Sequence, residues 1–253
     1  MNTAIAQQSG TSPKDKIIVA LDVSTAGEAL SIVNELKGSV GAFKVGLQLF
    51  TSAGPDFVRK LVNVGSRVFL DLKFHDIPNT VAKASMEAAR LGVWMFNVHA
   101  TGGSEMMRQA SAEVREICDR EELQLPLIIA VTVLTSSNNE TLSEVGVQNE
   151  TQTQVLKLAE LTAKCGLDGV VASPLEIEPI HTRIASDKFV IVTPGIRPAS
   201  ATKDDQKRVM TPAEAVHVGA DHLVIGRPIT GAPDRLRAVE KILEEITAGN
   251  IPS

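Results

Sequence analysis

Eight short, β-rich apolar runs recur along the chain, at residues 16–22, 42–46, 66–74, 94–99, 127–134, 169–173, 189–193 and 222–226. Segments of helical period fill most of the gaps, at 26–36, 56–64, 81–91, 105–120, 152–165, 212–219 and 234–246. This alternation points to a parallel sheet wrapped by helices, and eight repeats point to a closed (β/α)8 barrel of the TIM type. The near-continuous run Ile17-Ile-Val-Ala-Leu21 suits a strand buried on both faces, as parallel strands are.

With 253 residues, 43% of them hydrophobic, the chain has enough apolar material for one large core or two small ones. No linker rich in Pro, Gly or Ser divides it, and barrels of about this length fold as one unit. We therefore expect a flexible tail over residues 1–13, which are small and polar, and a single catalytic barrel domain over 14–253. A net charge of −5 and the lack of a Lys/Arg-rich run argue against nucleic acid as a partner, while leaving room for a local cationic pocket. The apolar runs fall short of a membrane span, and the first dozen residues lack the order of a secretory signal, so a cytoplasmic protein is expected. Cys118 and Cys165 lack metal-type or redox-type spacing and read as free core thiols in a reducing compartment.

Polar residues close the strand-like runs: Asp22, Lys44, Asp71 with Lys73, His99, Thr135 just past the fifth, Ser173, Thr193 and Arg227. A barrel carries its active site at the C-terminal ends of its strands, so chargeable groups gathered there suggest catalysis more than stability. The densest stretch is Phe69-Leu-Asp-Leu-Lys-Phe-His-Asp76. Residues two apart on a strand share a face, so Asp71 and Lys73 should project together, with Asp76 in the loop beyond. Neighbouring opposite charges favour each other's ionised form, which makes the Lys73 ammonium a candidate proton donor. Taken singly, an Asp-x-Lys pair is more often a structural ion pair; its weight here comes from context.

The seventh and eighth runs end in Thr193-Pro-Gly-Ile-Arg197-Pro and Ile225-Gly-Arg227-Pro-Ile-Thr. Loops after these two strands form the usual barrel phosphate site, where glycine allows close backbone approach and arginine offers a planar fork. The two Gly/Arg loops, at Arg197 and at Gly226 with Arg227, thus point to a phosphorylated ligand. The longest polar connection, residues 198–208, is either a solvated linker or a lid. His75 and His99, with Asp71 and Asp76, have the ligand chemistry for a metal, but the Lys73 ammonium amid them would repel a divalent ion; both read instead as hydrogen-bonding residues behind the site. The single Trp94 opens a strand and reads as core.

The segment Asp71-Leu-Lys-Phe-His-Asp-Ile-Pro-Asn-Thr80 closely resembles the signature of the orotidine 5'-phosphate decarboxylases. Other blocks resemble that family in its order: Val19-Ala-Leu-Asp22, Phe43-Lys-Val-Gly46, Asn97-Val-His-Ala100, Ala130-Val-Thr-Val-Leu-Thr-Ser136, Val192-Thr-Pro-Gly-Ile-Arg-Pro198 and Val224-Ile-Gly-Arg-Pro228. The likeness runs from about residue 16 to 246 and is nearest the bacterial form. It implies cofactor-free decarboxylation of orotidine 5'-monophosphate to UMP, the last step of de novo pyrimidine nucleotide synthesis, with no metal.

Residue by residue, the resemblance implies a charged network of Lys44, Asp71, Lys73 and Asp76, in a homodimer whose Asp76 and Thr80 enter the partner subunit's site. It implies that Asp22 and Lys44 hold the ribose, that Thr135 or its neighbour Ser136 meets the pyrimidine, and that Gln206 bridges pyrimidine and phosphate. Arg197, Gly226 and Arg227 would bind the phosphate. Losing CO2 from C6 leaves a carbanion that no cofactor delocalises, so a fixed Lys73 ammonium would stabilise it and protonate it, while Asp71 crowds the leaving carboxylate. Two rivals stand beside this reading. One is a sugar-phosphate aldolase or epimerase barrel, whose third strand also pairs Asp with Lys; Gln206 and Ile77-Pro-Asn-Thr80 speak against it. The other is a silent nucleotide-binding barrel, which would have little use for the Asp71, Lys73 alternation.

Overall fold

The computed structural model describes residues 12–198 and 210–249. A 3-10 turn, Pro13–Lys16, leads into eight parallel strands that close into a barrel in sequence order. They are β1 (Ile17–Ala20), β2 (Ala42–Gly46), β3 (Val68–Phe74), β4 (Met95–His99), β5 (Leu127–Val131), β6 (Gly169–Val171), β7 (Val190–Thr193) and β8 (His222–Ile225). The expected (β/α)8 barrel is the observed fold, and each expected run contains one strand. Several strands are shorter than expected because the last apolar residues of the run, such as Val133, already belong to the loop above the barrel.

Helices α1 (Ala26–Leu36), α2 (Leu47–Asn63), α3 (Pro78–Arg90), α4 (Gly103–Glu121), α5 (Asn139–Glu144) and α6 (Thr151–Lys164) cover the first six strands. The circuit is completed by α7 (Ile177–Ile184), α8 (Pro212–His217), α9 (Arg227–Thr230) and α10 (Arg235–Gly249). Side-chain alternation divides the interior in two. Ile18, Ala20, Ala42, Phe69, Met95, Ile129, Val192 and Val224 fill the barrel, while their neighbours along the strands, such as Ile17, Val19, Phe43 and Leu70, pack outward against the helices.

This alternation places the site. Two residues beyond the barrel-filling Ala20, Ala42 and Phe69 come Asp22, Lys44 and Asp71, so the next layer inside the barrel mouth is charged. α2 begins nine residues before the expected 56–64 segment, because Gly54, with φ 72°, breaks the helical path ahead of Pro55 and hides the first half from a periodicity reading. The two cysteines are free and buried, as expected.

Trp94 precedes β4 and packs against the barrel-filling cluster at the N-terminal end. Its ring meets the His222 ring edge-on at 5.1 Å, and the Arg67 guanidinium sits 5.8 Å from its centroid. Burial pushes His222 down to about 4, against the charge of Asp221 and the bond of Nδ1 to the Asp15 carbonyl, which pull the other way; the Lys16 and Arg67 charges add to the lowering. An unfolded chain protonates this histidine near 6.5. Its contribution is therefore full above that pH and is lost as pH falls toward 4, by up to roughly 3 kcal/mol. Urea unfolding of His222→Gln between pH 7 and 4 should show a flatter loss of stability than the parent. An equally steep curve would place the acid sensitivity elsewhere.

Candidate active site

The C-terminal mouth of the barrel holds a pocket of about 390 Å3. Its walls include Asp22, Lys44, Asp71, Lys73, Thr135, Arg197, Gly226 and Arg227, so the structure brings together eight of the residues singled out from the sequence. Apolar surface from Ala20, Phe69, Val131, Val171 and Val224 completes the floor, and Val133, Leu134, Pro194 and Gly195 line the rim. The floor residues carried no catalytic signal of their own in the sequence, since each sits in an apolar run that reads as core, whereas Pro194 and Gly195 belong to the loop already read as a phosphate site.

At the base, charges alternate. Lys44 is buried on β2; its Nζ donates to Asp22 Oδ1 at 2.9 Å and lies 3.4 Å from Asp71 Oδ2. Lys73 Nζ donates to Asp71 Oδ1 at 2.7 Å. Asp71 is thus held between two ammonium groups, and removing either would leave charge unbalanced in a partly buried layer. Gly46 leaves room beside this chain of ions, since a Cβ there would stand 3.0 Å from Lys44 Nζ and 3.6 Å from Asp22 Oδ1.

Asp71 and Lys73 do face the same cavity, but not through a regular strand. Pairing with β4 runs from Leu70 opposite Phe96 directly to Phe74 opposite Val98, so Asp71, Leu72 and Lys73 bulge opposite Asn97. Lys73 has φ 53°, a left-handed backbone that costs a residue with a side chain roughly 1–2 kcal/mol. Asn97, fully buried on β4, accepts from the Lys73 backbone N–H at 2.7 Å and donates to Asp71 Oδ1 at 2.7 Å. The sequence reading gave Asn97 no role. Its signals were an amide inside the buried run Met95-Phe-Asn-Val-His and its place at the head of the family-like block Asn97-Val-His-Ala100.

The pocket's arginines come from the loops after β7 and β8, the strands across the closed barrel from β3 and β4. Arg197 follows β7, and its backbone N–H bonds to Met210 O at 3.0 Å, which ties together the two ends of the 198–210 connection. Gly226 caps α9, whose Ile229 and Thr230 N–H groups return to its carbonyl, and Arg227 is the first helical residue. Thr135 lines the pocket while Ser136 does not. Gln206 lies outside the described residues, as does the expected lid except for Pro198.

Asp76 and Thr80 are exposed and stand apart from the pocket of their own chain. Asp76 Oδ1 accepts from the Ile77 N–H at 2.7 Å, and Thr80 lies in the first turn of α3. The remaining strand-end residues also fall outside the pocket lining. Ser173 caps the 3-10 turn Pro174–Glu176, and Thr193 takes the outward phase of Ile191. The His99 ring stacks on His75 at 5.5 Å, and its Nδ1 bonds to Thr101 Oγ1 at 2.9 Å. Burial, then the charges of His75 and Lys73, hold His99 below its ordinary value. Among the described residues no cluster of three or more His, Cys, Asp and Glu is arranged to hold a metal ion, and no helix is long and apolar enough to cross a membrane.

Residues 15–242 match the model of the Orotidine 5'-phosphate decarboxylase / HUMPS family. An orotidine 5'-phosphate decarboxylase of Geobacter sulfurreducens is 55% identical over 237 residues, 93% of this chain and 98% of that one. The Trichlorobacter lovleyi protein of the same name is 53% identical over 93% of this chain and 97% of its own. Among solved structures, orotidine 5'-phosphate decarboxylase from Lactobacillus acidophilus superposes with a TM-score of 0.80 at 39% identity, covering 91% of this chain and 98% of that one. Every block that resembled this family in the sequence, except Asn97-Val-His-Ala100, contributes residues to the pocket lining, and the chain belongs to the orotidine 5'-phosphate decarboxylase / HUMPS family.

Proposed function

We propose that this protein decarboxylates orotidine 5'-monophosphate to UMP, the closing step of de novo pyrimidine nucleotide synthesis, with side chains alone as catalysts. The observation that carries the reading is the pocket's charge plan. Lys73 and Lys44 flank Asp71 at the base, and Arg197 and Arg227 stand at the other wall. Four cationic side chains (Lys44, Lys73, Arg197, Arg227) face two carboxylates (Asp22, Asp71), which suits a ligand with a phosphate at one end and a carboxylate at the other.

In this mechanism the bond from C6 to the carboxylate breaks, its electron pair stays on C6, and CO2 departs. The Lys73 ammonium lies beside that developing charge and stabilises the transition state more than the ground state. It then transfers a proton to C6, and the resulting amine regains a proton from solvent. Asp71 both orients Lys73 and crowds the substrate carboxylate. Asp22 and Lys44 hold the ribose hydroxyls, Thr135 meets the pyrimidine, and Arg197, Gly226 and Arg227 take the phosphate. Gln206 bridges phosphate and pyrimidine, so binding of the remote phosphate helps organise the reacting end.

The active unit is a homodimer. Asp76 and Thr80 reach the partner's pocket from the loop after β3 and the first turn of α3, between which Ile77 leaves 66% of its surface exposed, a large apolar residue suited to an interface. Two free, buried thiols fit the cytoplasm as its compartment.

Arginine at the phosphate end gives the test. The parent should decarboxylate orotidine 5'-phosphate far faster than the nucleoside orotidine, and Arg227→Ala should shrink that preference by raising KM for the nucleotide while leaving the nucleoside reaction nearly unchanged. An unchanged preference would remove Arg227 from the phosphate site. Cleavage of a pentulose or hexulose phosphate, with orotidine 5'-phosphate untouched, would transfer the protein to the aldolase reading.

A further inference from the structure

We infer that Asn97 is a positioning residue for the decarboxylation, fixing Lys73 and Asp71 relative to each other across the β3 bulge. The inference rests on the proposed role of Lys73. Asn97 is fully buried and does not line the pocket, so it acts through its neighbours and not on substrate. Opposite it, Asp71, Leu72 and Lys73 occupy a stretch where β4 supplies one residue between Phe96 and Val98. A bulge of this kind leaves backbone groups without ladder partners. The Asn97 carboxamide meets that need at one end, accepting from the Lys73 N–H, and at the other end donates to Asp71 Oδ1, the same oxygen that receives the Lys73 ammonium.

Two consequences follow from one amide. The bond to the backbone N–H holds Lys73 in its left-handed conformation, which turns the side chain into the pocket. The bond to Asp71 fixes the carboxylate rotamer with one oxygen toward Lys73 and the other toward Lys44. A neutral donor is required for this. A carboxylate at position 97 would repel Asp71, and an aliphatic residue would leave both the N–H and the bulge unsupported.

The test separates chemistry from binding. Asn97→Ala should lower kcat by about 10^2-fold, the scale of an ångström-level misplacement of a reacting group, while KM and UMP affinity stay within about threefold of the parent. Asn97→Asp supplies a readout that a merely structural role would not move. The introduced carboxyl accepts from the Lys73 N–H in either form but donates to Asp71 only when protonated, so the ratio of variant to parent kcat should rise as pH is lowered. A kcat for Asn97→Ala within threefold of the parent, or a pH-independent ratio for Asn97→Asp, would overturn the inference; if the alanine variant does not fold, the ratio decides alone. The two readings fail separately. Lys73→Ala retaining full kcat would remove the proposed acid, whereas a dead Lys73→Ala beside a fully active Asn97→Ala would remove only this inference.

Discussion

Replacing Lys73 by alanine is expected to lower kcat by at least about 10^3-fold, because the substitution removes the group proposed both to stabilise the carbanion and to protonate it. That loss corresponds to about 4 kcal/mol of transition-state stabilisation. Substrate affinity should fall much less, since the arginines at the opposite wall are untouched. The fold should survive as well. Lys73 sits at the pocket surface, and alanine there relieves a long side chain without opening the core, although the left-handed backbone remains strained. Single-turnover kinetics on the purified variant, with UMP binding as the control, measures both. A kcat within tenfold of the parent would make Lys73 a structural partner of Asp71 and end the proposed mechanism.

Mixing two inactive variants should restore activity. On the proposed shared-site dimer, Lys73→Ala and Asp76→Asn are each expected to be nearly dead, for different reasons: one lacks the proposed acid in its own pocket, the other the carboxylate proposed to enter its partner's. When subunits exchange one to one, about half the dimers become mixed, and each mixed dimer carries one site with both lesions and one with neither. Activity should therefore return to about a quarter of parental sites. The structure motivates the experiment, because Asp76 is exposed and outside its own chain's pocket while Lys73 lines it. If Asp76 served its own chain, every site would hold a lesion. Verified exchange without recovery would reject the shared site.

Much of this architecture was legible in the residues. The barrel announced itself because buried parallel strands need continuous apolar runs, and β2 and α1 were read to their observed bounds, Ala42–Gly46 and Ala26–Leu36. Helices went unread where local punctuation masks them. α7 carries Pro179 within an eight-residue span, and α9 opens on Gly-Arg-Pro, a sequence that reads as a turn. In the site, charged groups were conspicuous because desolvating them inside apolar runs is costly without a purpose. The bulge was not. Asp71-Leu-Lys-Phe74 alternates like any strand, and only the register against β4 reveals the extra residues and the left-handed Lys73. Asn97 was overlooked for the same reason, since its importance depends on an irregularity in another strand.

Decarboxylation by a network of side chains, as proposed, requires no metal. The most direct test is to follow the pyrimidine absorbance of orotidine 5'-phosphate with purified protein that has been dialysed against a chelator and assayed in its presence. Complete conversion to UMP at the same rate as without chelator is expected. Activity lost in chelator and restored by adding a divalent cation would contradict it.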